Sequence, residues 1–278
     1  MRAIEICGAV LALGACMVWH VPVSWALVWR LPLFYIAGVL VLAVVYWLFL
    51  WLSSCMIPKD KVYDRPSSFY DALLNSGYRF LYEAAGARVH VTGRERMPED
   101  GRFVLVSNHL SNFDNMIQSV CLRPVRLAFI SKPENFKIPI GGRMIRRGCY
   151  LPIDRNDARS SALTLKRASE LLKTGAVDAI GVYPEGHRGQ GYDLQPMHAA
   201  CMNVASWANV PIVVCTIAGT EKIHRNFPFR RTDVFFDILG TVDARGRRTD
   251  EVTREVASLM QERLNMYKGK ALKTEARG

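Results

Sequence analysis

The segment Asn108-His109-Leu110-Ser111-Asn112-Phe113-Asp114 places an imidazole and a carboxylate five residues apart, directly after the apolar run at 104–107. Side chains that meet on one straight helix face are three or four residues apart. A turn ahead of a helix is therefore needed to bring Asp114 back onto the ring of His109. The carboxylate then holds one ring nitrogen as N–H and leaves the other as an acceptor. Such an acceptor takes the proton of a hydroxyl, and an alcohol is a poor nucleophile until that proton is removed. The competing reading is a core histidine beside a helix-capping aspartate.

Three further stretches carry chemistry. Tyr183-Pro184-Glu185-Gly186-His187-Arg188 also follows an apolar run, and Pro and Gly shape its turn. Arg188 offers a planar fork for phosphate or carboxylate, and Glu185 either holds it or meets a substrate hydroxyl. Read alone, this is a surface turn with an ordinary ion pair. Gly148-Cys149-Tyr150-Leu151-Pro152-Ile153-Asp154-Arg155 puts a guanidinium at a strand end, after Arg143, Arg146 and Arg147, which suit anionic lipid heads or solvent. Val210-Pro211-Ile212-Val213-Val214 reads as a core strand.

The elements around these motifs alternate. Strands are expected at 88–92, 103–107, 126–131, 149–153, 179–183, 212–218 and 234–239, and helices at 69–85, 115–122, 158–173 and 249–267. Asp157 is placed to cap the helix at 158, and Gly175 to end it. Alternation of strand and helix predicts an α/β domain: a central mixed sheet flanked by helices.

Residues 31–52 are uncharged, long enough at about 1.5 Å per residue to cross a ~30 Å hydrocarbon core. Residues 6–29 are also apolar, broken by His20 and Pro22. Together they predict an N-terminal membrane helical hairpin with its turn at Arg30 and Pro32, the first helix either spanning or lying in the interface. Arg2, Lys59, Lys61 and Arg65 flank the pair, which puts both ends and the large domain on the cytoplasmic face. A cleaved lipoprotein signal at Cys16 fits poorly, because apolar residues continue after it. The expected organisation is an anchor at 1–57, a linker and packing helix at 58–85, a catalytic domain at 86–267 and a disordered tail at 268–278.

The formal net charge of +11 suits an anionic partner. Nucleic acid is set aside, since neither an RNA-binding motif nor zinc-finger spacing occurs. The seven cysteines are scattered without a C-x-x-C pair, so neither a disulfide framework nor a metal site is expected.

In type, order and spacing the four motifs resemble the glycerolipid acyltransferase family, typified by 1-acyl-glycerol-3-phosphate acyltransferases. The resemblance covers about residues 86–220, and its patterns N-H-x4-D, Gly-x4-Ile-Asp-Arg, F-P-E-G-T-R and V-P-I-V-P read here as 108–114, 148–155, 183–188 and 210–214. It implies direct acyl transfer with no metal and no cofactor, acyl-coenzyme A or acyl carrier protein being the co-substrate. It implies His109 as the base, Asp114 as its orienting partner, and a substrate-binding set of Asn108, Arg155, Glu185, Gly186, His187 and Arg188. The partners implied are a lysophospholipid acceptor and membrane lipid, and the product is phosphatidic acid. His187 stands where the family has Thr, Val214 where it has a second Pro, and His198-Ala199 where Lys-Gly is usual. These departures bear on the acceptor's head group. Three rivals remain: another lysolipid head group, a non-enzymatic membrane-bound anion-binding module, and a hydrolase using Ser107 or Ser111, which lacks a G-x-S-x-G elbow.

Overall fold

The structure, a computed structural model, describes residues 2–18, 25–99, 101–189 and 191–275. The chain divides into two compact units, Met1–Pro58 and Lys59–Gly278.

The first unit is a pair of helices, α1 (Arg2–Val18) and α2 (Trp25–Cys55). The 27-residue stretch Trp29–Cys55 is long and apolar enough to cross a membrane. The turn expected at Arg30 and Pro32 is not there: both lie inside α2. Proline removes one backbone N–H, but ending the helix in apolar surroundings strands several more groups, so the helix continues through it. The apolar part of α1, Ile4–Ala15, reaches only about 18 Å, short of a full span. The expected break at His20 and Pro22 lies outside the described residues. A Cβ on Gly8 would come within 2.6 Å of Val39, and one on Gly38 within 3.4 Å of the Gly8 carbonyl. These glycines let the two backbones approach, as small residues do between helices in lipid.

The second unit opens with helix α3 (Ser68–Ala84) and then builds the sheet. Its strands are β1 (Ala87–Thr92), β2 (Phe103–Ser107), β3 (Leu127–Ser131), β4 (Leu151–Pro152), β5 (Ala179–Val182), β6 (Ile212–Ala218) and β7 (Thr232–Val242). They lie in the order β1-β7-β6-β2-β5-β3-β4, all neighbours parallel except β6 and β7. The sheet is therefore mixed. The central strands β2, β5 and β6 are buried along their whole length, which is why they read as unbroken apolar runs instead of alternating ones. Because β2, β3, β5 and β6 run the same way, the segments that follow them all emerge at one edge of the sheet, where open α/β folds place their ligands.

The helices are α4 (Phe113–Cys121), α5 (Gly141–Arg147), α6 (Ala158–Lys173), α7 (Asn203–Ala208), α8 (Ile223–Asn226) and α9 (Thr249–Glu275). Asp157 caps α6 by accepting the N–H groups of Arg159 and Ser160 at 2.9 and 3.2 Å. Gly175 follows its end with φ of 65°.

Three expectations are corrected. The strand at 149–153 shrinks to two residues, because Cys149 and Tyr150 spend their N–H groups on the carbonyls of Arg146 and Ile145. The arginines of α5 are not all free for lipid. Arg147 lies over the Tyr63 ring at 4.5 Å and donates to the Arg65 carbonyl at 2.7 Å, while Arg146 lies over Phe136. Finally, α9 continues to Glu275, into the expected tail, where Lys268 pairs with Asp193 at 2.7 Å.

Candidate active site

β2 ends at Ser107, and 108–112 form the turn that leads into α4. Asp114, in the first turn of α4, folds back so that Oδ2 stands 2.8 Å from His109 Nδ1. The same oxygen accepts the Leu110 and Ser111 N–H groups at 2.6 and 2.8 Å, and Oδ1 accepts the Thr220 hydroxyl at 2.6 Å. Asp114 is fully buried. A buried carboxylate with four partners is fixed in place and accepts only. It therefore holds Nδ1 as N–H and leaves Nε2 as the acceptor.

Below the imidazole lies a ring stack. His109 stacks on Tyr183 with centroids 4.2 Å apart, and Tyr183 on Phe129 at 5.7 Å. Phe129 fits because β5 carries Gly181 there, and the ring occupies the space a Cβ would take. The Tyr183 hydroxyl donates to Gln118 at 2.9 Å, and Gln118 donates to Ser107 Oγ at 2.8 Å. Burial holds the Tyr183 phenol well above its ordinary range, so this hydroxyl stays a donor.

His109 opens into a cavity of about 600 Å³ lined also by Lys132, Arg155, Gly186, His187, Arg188 and His198. Among the described residues its lining holds three permanent cations and no carboxylate. Burial lowers the Arg155 pKa; the guanidinium has no acidic partner among the described residues. Gly186 has φ of 76°, and a Cβ there would sit 3.1 Å from the His198 ring. The left-handed backbone favours glycine at this turn, and any Cβ would press on the His198 ring. The rest of the wall mixes neutral polar side chains such as Asn112, Asn115 and Ser161 with an apolar part that includes Ile153, Leu165 and Trp207. Space of this kind takes a molecule with one anionic end and one apolar arm.

The sequence-derived site set separates into two groups. His109, Arg155, Gly186, His187 and Arg188 line the cavity; Asn108 and Glu185 do not. Asn108 is buried, and its amide donates to the Ile217 carbonyl at 2.9 Å and accepts the Ile217 N–H at 2.8 Å. It ties β2 to β6 and, being buried, does not face the cavity. Glu185 is buried, accepting the His109 N–H at 3.0 Å on one oxygen and the Gln195 N–H at 2.9 Å on the other. Burial raises its pKa against the lowering effect of these two N–H donors. Glu185 therefore clamps the backbone of His109. Arg188, for its part, has no ion pair among the described residues. Thr220 and Lys132 were missed. Thr220 lies 106 residues from Asp114, beyond any local pattern. Lys132 had a signal, since it directly follows β3 at the ligand edge of the sheet.

The hydrolase reading loses its nucleophiles. Ser107 and Ser111 are buried, Ser107 Oγ accepting from Gln118 and Ser111 Oγ from the Phe113 N–H at 3.3 Å. The cavity's Cys201 thiol is pushed up to about 11 by burial, so it is protonated at neutral pH.

The site is thus a carboxylate-steered imidazole beside a cavity with a cationic end, carried on a mixed α/β sheet. Residues 88–218 match the pattern of the family described as Acyltransferase. The chain is 35% identical over 137 residues to the chloroplastic 1-acyl-sn-glycerol-3-phosphate acyltransferase BAT2 of Brassica napus, covering 49% of this chain and 39% of that one. It is 27% identical over 192 residues to the 1-acyl-sn-glycerol-3-phosphate acyltransferase of Escherichia coli strain K12, covering 66% and 77%. The crystal structure of the 1-acyl-sn-glycerophosphate acyltransferase PlsC from Thermotoga maritima shares the fold, with TM-score 0.61 and 24% identity over 81% of this chain and 89% of that one. The chain thus spans less than half the length of its plant relative. These similarities support the glycerolipid acyltransferase family for the part of the chain they cover, residues 88–218.

Proposed function

We infer that the protein is an acyltransferase that moves a fatty acyl group from an acyl thioester to the free hydroxyl of 1-acyl-glycerol-3-phosphate, giving phosphatidic acid. The observation that carries this reading is the 2.8 Å contact between His109 Nδ1 and Asp114, beside a cavity whose lining, among the described residues, includes cations and no carboxylate. Relatives that carry the name 1-acyl-sn-glycerol-3-phosphate acyltransferase support it.

In this reading Lys132, Arg155 and Arg188 receive the acceptor's phosphate, with His187 and His198 beside them. Nε2 of His109 takes the proton of the acceptor hydroxyl as its oxygen attacks the thioester carbonyl carbon. The C–O bond forms, the C–S bond breaks, and the imidazolium returns its proton to the departing thiolate. Asp114 stabilises the imidazolium during the step. In this reading the acyl group passes directly between substrates.

The helix α2 anchors the protein in a membrane. The cations at Arg2, Lys59, Lys61 and Arg65 favour a cytoplasmic catalytic domain. The test is an acceptor and donor screen on purified full-length protein. Acyl-coenzyme A and acyl carrier protein thioesters are each offered with lysophosphatidic acid and with lysolipids of neutral head group. Fastest transfer to lysophosphatidic acid is expected. Preference for a neutral head group would remove the phosphate from the cationic end, and fatty acid release without any acceptor would make the protein a hydrolase.

A further inference from the structure

The segment 222–231, between β6 and β7, reads Lys-Ile-His-Arg-Asn-Phe-Pro-Phe-Arg-Arg. It holds four permanent cations and no acid. Phe227 is 55% exposed and Phe229 is 94% exposed. A phenyl ring standing almost wholly in water has no folding role at that position. Lys222, Arg225, Arg230 and Arg231 are exposed, and none has an ion pair among the described residues. The acids that bracket the segment are engaged elsewhere: Glu221 accepts from the Tyr192 hydroxyl at 3.0 Å, and Asp233 faces His90 at 2.9 Å.

The exposed basic stretch at 243–248 behaves differently. Its Arg245 pairs with Asp243, and its Arg247 with Glu251 and Glu255. The 222–231 segment, by contrast, keeps its cations without ion pairs among the described residues, around exposed aromatic rings. Cations with an exposed aromatic ring match the two layers of an anionic bilayer surface: headgroup charge outside, acyl boundary beneath. The segment is also tied to the site. Its start is held by Thr220, which donates to Asp114, and His224 lies against Phe113 at 5.5 Å, next to the cavity residue Asn112.

We propose that segment 222–231 docks on an anionic lipid bilayer, Phe227 and Phe229 entering the headgroup boundary and the four cations meeting lipid phosphates. Docking there sets the cavity that opens beside His109 toward the surface from which a lipid acceptor arrives. This last consequence rests on the acyl-transfer reading; the docking itself does not.

The test uses the full chain in nanodiscs of phosphatidylcholine with or without phosphatidylglycerol, each doped with a lipid carrying a photoreactive headgroup. Adducts are located by mass spectrometry, so the readout is contact and not turnover. Labelling of 222–231 should exceed that of 243–248 by about tenfold or more in anionic discs, and should fall about tenfold in the Arg225→Gln/Arg230→Gln/Arg231→Gln variant. Phe229→Ser, a single exposed change, should reduce labelling while leaving the melting temperature unchanged. Labelling no higher than at 243–248, or unaffected by removing the three charges, would overturn the proposal. Cross-links to an acidic carrier protein without lipid adducts would overturn it too, by giving the surface to a protein.

Discussion

The Asp114 oxygen that lies 2.8 Å from His109 Nδ1 also accepts the N–H groups of Leu110 and Ser111. One carboxylate therefore shapes the turn and orients the imidazole. In Asp114→Asn the amide oxygen can keep the place of Oδ2 while the new NH2 meets Thr220 Oγ1. The turn should survive, but the negative charge that stabilises imidazolium is gone. Turnover should fall by about two to four orders of magnitude, with the circular dichroism spectrum unchanged. Thr220→Val leaves a buried carboxylate oxygen without its donor and should cost about 1–3 kcal/mol of stability. Chemical denaturation measures that loss.

Asn108 and Glu185 should behave as positioning residues. Asn108→Ala leaves both backbone groups of Ile217 without partners and should destabilise by about 2–3 kcal/mol. Glu185→Gln replaces one acceptor oxygen with a donor, against the N–H of His109 or of Gln195. For both variants kcat should fall while KM for the acceptor stays near its wild-type value. A rise in acceptor KM with kcat intact would return them to the substrate.

Arg155→Ala and Arg188→Ala should do the opposite. Each removes a cation from the cavity, so acceptor KM should rise by about tenfold or more, on the scale of one charge-assisted phosphate contact. Donor KM should change far less. Steady-state kinetics with each substrate varied in turn separates the two, and equal effects on both would contradict a phosphate site at this end.

Asp237 is the best-buttressed acid away from the site. It is buried, and it accepts from Arg263 at 2.9 Å, from Thr92 at 2.6 Å and from the Tyr267 hydroxyl. Burial raises its pKa, but these donors overcome that and hold it below the ordinary carboxylate value. A depressed folded pKa gives stability that is full above the unfolded value near 4 and is lost as pH falls through the folded one. Asp237→Asn should cost about 2–3 kcal/mol at pH 7, less than a fully buried pair because Arg263 is partly exposed. The gap from wild type should narrow below about pH 4. Melting temperatures across that range test it.

Much of this was legible from residue order because it is local. The apolar runs of β2, β5 and β6 and the Asp157 cap are set by neighbours within a few positions. The His109–Asp114 pair needed only a turn. What could not be read was direction. A motif gives residue types, but whether Asn108 faces the cavity or β6 depends on Ile217, 109 positions later. Glu185 likewise turns toward a backbone N–H 76 positions away. Pro32 was misread because helix-breaking rules are drawn from water, whereas a uniformly apolar helix gains little by opening.

The central claim is that His109 removes the acceptor's proton. The most direct measurement is phosphatidic acid formation by His109→Ala beside wild type, in detergent, with saturating acyl thioester and lysophosphatidic acid. The account predicts a fall of at least about two to four orders of magnitude, with matching melting temperatures. Turnover within about tenfold of wild type would contradict it.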